Sequence, residues 1–213
     1  MTDKGFVPAP CSNCLGERRH EVLFETSLHE QETIEQYAML QCGGCGRVSL
    51  GYKRIWKDGS GTDIEFYPAP ITRQRPSWVL DLILFGNTER AALAALLSEV
   101  YCAIANEQHR LAAMGIRAVI EQLMVMTVGD LPSFPQKLSA LQQQGFISLV
   151  QRDALNAALE VGHAAMHRGH MPTEKDLILS LEIIEGVLAP MFAHWDEAQK
   201  LADGVPKRKK PAP

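Results

Sequence analysis

The hydrophobic and polar positions of this chain change period once along its length. Over His20–Leu28, the residues Val22, Phe24, Thr26 and Leu28 alternate with Glu21, Leu23, Glu25 and Ser27, the two-residue period of a strand. Tyr37–Gln41 reads as the returning arm of a hairpin, Arg47–Trp56 as another strand, and Thr62–Tyr67 as a fourth. Tyr67-Pro68-Ala69-Pro70 and Arg73-Gln74-Arg75-Pro76 then place three prolines within ten positions, which predicts an extended linker. Beyond it the spacing becomes helical.

Leu93, Leu96, Leu97, Val100, Tyr101 and Ile104 mark one apolar stripe that opens near Thr88, a suitable N-cap. Leu111, Met114, Ile116, Val119, Ile120, Leu123 and Met124 continue it on a second helix, or on the same helix bent near Asn106. Ser133-Phe134-Pro135-Gln136 has the form of a capping box for a short helix to Gln144, with Gly145 as its stop. A fourth helix is expected from Leu149 to Arg168, ended by Gly169. A fifth, capped by Thr173, carries Leu177, Leu181, Ile184 and Leu188 and should kink or end at Pro190. The predicted class is α+β: a small N-terminal β unit over 1–70, a linker and lead-in over 71–87, an all-α bundle of four to five helices over 88–203, and a disordered basic tail over 204–213.

Composition narrows the class. Of the 213 residues, 46% are hydrophobic and 22% charged, enough apolar side chain to offset the ordering entropy of a folded chain. No run of 18 apolar residues suggests a membrane span, and Met1-Thr2-Asp3-Lys4-Gly5 lacks an apolar signal core, so a cytoplasmic protein is expected. The net charge is −4. Residues 1–70 hold seven Lys/Arg against ten Asp/Glu, and four bases of the remainder sit in Lys207-Arg208-Lys209-Lys210. Neither folded part has the basic excess of a generic phosphate binder.

Cysteine spacing gives the first specific chemistry. Cys11-Ser-Asn-Cys14 and Cys42-Gly-Gly-Cys45 form two Cys-x-x-Cys pairs separated by 27 residues. Two residues between ligands let one short turn aim both sulfurs at one ion, and Gly43, Gly44 and Gly46 ease that turn. The pairs therefore predict a structural four-thiolate zinc site, a zinc ribbon, with the hairpin as its insert. A thioredoxin-like redox pair needs only one such motif, and disulfides are disfavoured in a reducing compartment. A catalytic zinc would need an open coordination position that four thiolates close. His20 or His29 is the alternative fourth ligand. Cys102, in an apolar helical stretch, is expected to be buried.

The second constellation is Glu160-Val161-Gly162-His163-Ala164-Ala165-Met166-His167-Arg168-Gly169-His170. His163 and His167 are four apart and share a helix face, with Glu160 one turn earlier. Three readings stand. His167 caps the helix end while His163 is a satisfied core residue; the pair ligates a second zinc; or the group is a partly buried polar site.

Residues from about Pro76 to Ala193 resemble an uncharacterised all-helical domain of type I restriction-enzyme R subunits and of stand-alone prokaryotic proteins with an N-terminal zinc ribbon. The resemblance rests on Gly115-Ile116-Arg117-Ala118-Val119-Ile120-Glu121 and on Gly162-His163-Ala164-Ala165-Met166-His167, where relatives usually read Gly-Asn-x-x-x-His. That family resembles the HEPN superfamily of four- to five-helix bundles, many of which dimerise and some of which cleave RNA. The superfamily's ribonuclease motif is an arginine, a polar residue, three arbitrary residues and a histidine. It places His163 as the polar residue and His167 as the motif histidine, and it puts Gly162 where the arginine belongs. Metal-independent cleavage needs an acid or base, which His167 could supply, and a fixed cation on the phosphate. Arg168, Arg117 or Arg152 could supply that cation from elsewhere in the chain or across a dimer. The resemblance thus implies a non-catalytic nucleic-acid- or protein-binding adaptor linked to restriction and defence, acting as a homodimer. Its alternative is a divergent ribonuclease using His167, His163 and Arg168 on an RNA partner.

Overall fold

The alternating N-terminal segment pairs into an antiparallel meander of five strands. They are β1 (Phe6–Pro10), β2 (Glu17–His29), β3 (Thr33–Cys42), β4 (Val48–Trp56) and β5 (Thr62–Tyr67), hydrogen-bonded in the order β1-β2-β3-β4-β5. The computed structural model describes residues 5–71 and 73–206. Four of these strands match the sequence pattern. The fifth, β1, carries Pro8 and Pro10, which a sheet tolerates because β1 is an edge strand.

Register corrects one expectation. Val22 lies opposite Leu40, but a bulge follows, and Phe24 lies opposite Met39. Leu40 and Met39 are successive residues and face opposite ways, so Val22 and Phe24 point to different faces. The apparent stripe Val22, Phe24, Thr26, Leu28 is therefore split. On one face, Phe24, Met39, Leu50 and Tyr67 form a row across four strands, and all four are exposed. One row further, the Tyr37 and Tyr52 rings pack at 5.1 Å, and both hydroxyls donate to the Glu35 carboxylate at 2.8 and 3.0 Å. These hydroxyls, with Arg54, hold the Glu35 carboxyl below the usual carboxylate range.

The second unit begins at Arg75, directly after Gln74. It comprises α1 (Ser77–Phe85), α2 (Thr88–Ala105), α3 (His109–Val128), α4 (Phe134–Gln143), α5 (Leu149–His167), α6 (Glu174–Leu188), a π turn (Ala189–Ala193) and α7 (Trp195–Gly204). Helices α2 to α6 are the five expected. Asn87, rather than Thr88, caps α2, its side chain accepting from the Arg90 amide. Ser133 caps α4, and full capping boxes start α5 at Ser148 and α6 at Thr173. Gly145 and Gly169 take the left-handed conformation past α4 and α5. At Pro190, which has no N–H for the ladder, α6 widens into the π turn. The described part of the expected tail, Gly204–Pro206, begins by closing α7, and residues 207–213 lie outside the described residues.

Two helices go beyond the expected five. Helix α1 lies inside the segment read as linker and lead-in, and α7 follows the proline at which the fifth helix was expected to kink or end. Helix α3 is the centre. It is long and apolar enough to cross a membrane by composition, but its Ala112, Ala113, Ile116, Val119, Ile120, Leu123 and Met124 are buried in the bundle core. Around them pack Leu97 from α2, Leu141 from α4, Leu155 and Leu159 from α5, and Leu177, Leu181 and Ile184 from α6. Cys102 is exposed rather than buried, because Leu93, Leu97, Val100 and Ile104 claim the opposite side of α2.

Candidate functional site

The β1–β2 and β3–β4 turns fall at the same end of the meander, and each carries one Cys-x-x-Cys pair. The β2–β3 hairpin occupies the long spacing between the pairs. It returns the chain so that Cys42 lies opposite His20, three residues after Glu17, where β2 begins. All four sulfurs lie within 4.8 Å of one another, and Cys11 Sγ is 3.7 Å from Cys45 Sγ. A tetrahedral ion with bonds of ~2.3 Å to sulfur has sulfur–sulfur edges of ~3.8 Å. The four cysteines thus form a cluster that can hold one metal ion.

The two turns are built alike. In each, the amide two residues after the first cysteine donates to that cysteine's sulfur: Asn13 to Cys11 at 3.3 Å and Gly44 to Cys42 at 3.4 Å. In the second turn the Gly43 amide donates to Arg19 O at 2.8 Å, and a Cβ on Gly43 would sit 3.0 Å from that oxygen. Gly46, at φ +73°, returns its amide to Cys42 O at 2.8 Å. The first cysteine of each pair is buried, at 2% exposure, while Cys14 is half-buried and Cys45 exposed. Burial opposes ionisation of Cys42, but the Cys45 and Gly44 amides and the neighbouring thiols prevail and lower it to about 6. Hydrogen bonding to Cys45, then burial and the other sulfurs, push Cys14 up to about 11. A thiolate is therefore already stabilised at Cys42 before any cation arrives.

His20, one of the two alternative ligands, is 1% exposed beside the cluster but is not part of it. Its Nδ1–H donates to Arg18 O at 2.9 Å, since a carbonyl can only accept. It lies opposite Cys42 in the β2–β3 register. His29 closes β2 at the far end of the hairpin, opposite Ile34.

The helix-end group sits at the C-terminus of α5. The His163 and His167 rings face each other with centroids 4.7 Å apart and planes tilted by 50°. His163 is half-buried and His167 exposed, so the expected partly buried patch is buried only at its first histidine. Glu160 pairs with Arg168. That hydrogen bond holds the Glu160 carboxyl below its usual range, with smaller help from the His163 and Arg117 charges.

The remaining arginines are committed elsewhere. Arg117 stacks over Phe134 at 4.1 Å. Arg152 donates to Asp153 at 2.8 Å and to Gln142 at 2.9 Å. His170 lies beyond the end of α5, where it lines a shallow hollow with Ala157, Glu160, Val161, Ala164 and Arg168.

Gly162 is the residue whose reason the sequence hides. It is buried where α5 crosses α3, and a Cβ there would stand 2.6 Å from Ala113 O and 2.8 Å from Arg117 Cβ. No side chain fits. Sequence reading also missed Lys137, which is 5% exposed and ion-paired to Asp130 at 2.8 Å and Glu121 at 3.5 Å. A lysine inside a short polar helix gives no local sign of burial.

The family model described as Domain of unknown function (DUF4145) matches residues 98–207, from the middle of α2 past the end of α7. Comparison with curated proteins gives no match. Comparison with solved structures gives none either. The match spans just over half of the 213 residues and takes in the α3–α5 crossing and the histidine pair, and on that ground the chain belongs to the DUF4145 family.

Proposed function

We propose that this chain is a non-catalytic binding module whose N-terminal ribbon is folded around one structural zinc ion. Four thiolates fill a tetrahedral shell, which suits zinc and leaves no position for substrate. The observation that carries the non-catalytic reading is the seat of Gly162. The HEPN-like motif needs a cation at that point, and the carbonyl of Ala113 occupies the space that any side chain would need. Of the candidate replacements, Arg168 is held by Glu160, and Arg117, whose Cβ lies against position 162, stacks over Phe134.

The adaptor reading has its own support. The exposed row Phe24, Met39, Leu50 and Tyr67 offers an apolar surface on the ribbon. The excess of carboxylates over bases in residues 1–70 favours a protein partner over nucleic acid. A restriction- or defence-linked role and self-association through the helical unit belong to the same proposal. Ala154, Ala157 and Ala164 allow close approach by a second copy, whereas Ala158 and Ala165 are used in the bundle's own core. Light scattering at tens of micromolar is expected to give the mass of a dimer, and a strict monomer would remove that part of the proposal.

Elemental analysis should find one zinc per chain. Incubation with structured and unstructured RNA, without added metal, should leave the RNA intact. The His167→Ala variant should melt within about 0.5 kcal/mol of the parent, as expected for an exposed side chain with no buried partner. The adjacent imidazoles favour a second reading, a divergent ribonuclease using His167. RNA cleavage that disappears in a stable His167→Ala protein would replace the binding module with that enzyme.

A further inference from the structure

We propose that His163 and His167 together bind one divalent transition-metal ion of square-planar or octahedral preference, copper(II) or nickel(II), through one ring nitrogen each. This site is separate from the cysteine cluster and does not depend on what that cluster holds. Imidazole is a good ligand for these ions, and residues four apart on a helix present both rings on one side. Among the described residues no hydrogen bond ties either ring, and their contact is with each other.

The distance between the rings suits a pair of adjacent ligands on one ion. A metal ~2.0–2.1 Å from a ring nitrogen stands about 3.2 Å from the ring centre. With one nitrogen of each ring turned to a shared ion, centres 4.7 Å apart would subtend about 95° at the metal, near the ~90° between cis ligands of a square plane or octahedron. The order of intrinsic affinity among divalent ions also favours copper and nickel at a nitrogen site.

The helix beneath is already fixed. Gly162 is locked against α3, and Ala165 is in the core, so the backbone that carries both histidines does not have to be ordered when metal binds. Glu160, one turn before His163, adds a carboxylate whose charge already interacts with that histidine. With only two protein ligands the remaining coordination positions belong to water. The site is therefore open, unlike the closed four-sulfur cluster.

The test is calorimetric titration of nickel(II) into untagged, zinc-loaded full-length protein, with zinc content measured before and after. The expected result is one equivalent of nickel bound with micromolar affinity and no zinc displaced. His167→Ala and His163→Ala should each weaken binding at least tenfold, whereas His170→Ala, beyond the end of α5, should leave it unchanged. Because His163 is half-buried, circular dichroism melting accompanies its variant. His167 is exposed, so its variant carries the test even where the other fails to fold. No nickel equivalent in the parent, equal affinity in a folded His167→Ala protein, or loss of zinc in step with nickel uptake would each overturn the proposal.

Discussion

Replacing Cys42 with serine is expected to unfold the N-terminal sheet while leaving the helical circular dichroism mostly intact. The reason is the size of the two cores. Of the buried apolar side chains among the described residues, the sheet unit supplies Ala9, Cys11, Leu40 and Cys42, and two of these belong to the four-cysteine cluster. All other buried apolar residues, from Val79 onward, form the bundle core. A five-stranded sheet with so little buried apolar surface does not hold together by hydrophobic burial alone. A structural zinc site contributes on the order of 10–16 kcal/mol at neutral pH, far more than the sheet's own core can.

Cys42 is the ligand at which substitution should do most. Its backbone binds Arg47 O and accepts from Gly46, and the adjacent Gly43 amide reaches across to Arg19. Losing the ligand therefore loosens the second turn and the β2–β3 register together. Removing zinc with a chelator should produce the same state in the parent protein. Metal uptake must displace the protons still held by thiols such as Cys14, so binding should weaken as the pH falls. Limited proteolysis reads the outcome: cleavage should concentrate before residue 75, in the sheet unit. A zinc-free Cys42→Ser protein whose sheet resists proteolysis like the parent would refute the metal-dependent ribbon.

What the sequence revealed, and what it hid, follows from the range of the interactions involved. The cysteine spacing was legible because each pair is a local turn, and the hairpin between them announces itself by alternation. The bulge after Val22 was not, because it exists only in the pairing of β2 with β3. Strand β1 was hidden by Pro8 and Pro10, whose tolerance depends on β1 having a neighbour on one side only. Helix α1, Ser77-Trp78-Val79-Leu80-Asp81-Leu82-Ile83-Leu84-Phe85, is apolar nearly all round and so shows no stripe. The exposure of Cys102 follows from counting faces on α2, where the side chains that reach the core lie opposite it. The histidine pair was visible as a spacing, but its ring contact and its partition into one half-buried and one exposed residue were not.

Gly162 shows this most sharply, since the atom that excludes a side chain there belongs to Ala113, on another helix. Restoring the arginine of the ribonuclease motif by Gly162→Arg is therefore expected to unfold the helical unit rather than create an enzyme. The milder Gly162→Ala separates the opposing terms. Alanine should gain up to ~1 kcal/mol from helix propensity. Against this, its Cβ must be accommodated at 2.6 Å from a backbone oxygen and 2.8 Å from Arg117 Cβ, neither the end of a flexible side chain. Overpacking of this kind typically costs ~1–3 kcal/mol, and contact with backbone on a central helix puts it at the upper end. A net loss of about 2 kcal/mol is expected, several degrees in melting temperature. Gly186, inside α6 with nothing within 4 Å of where a Cβ would stand, is the matched control, and Gly186→Ala should stabilise by the propensity gain alone. Thermal melts of the two alanine variants should therefore move in opposite directions. A Gly162→Ala protein as stable as Gly186→Ala would mean that α3 and α5 do not approach as closely as 2.6 Å implies. It would also reopen position 162 to the missing cation.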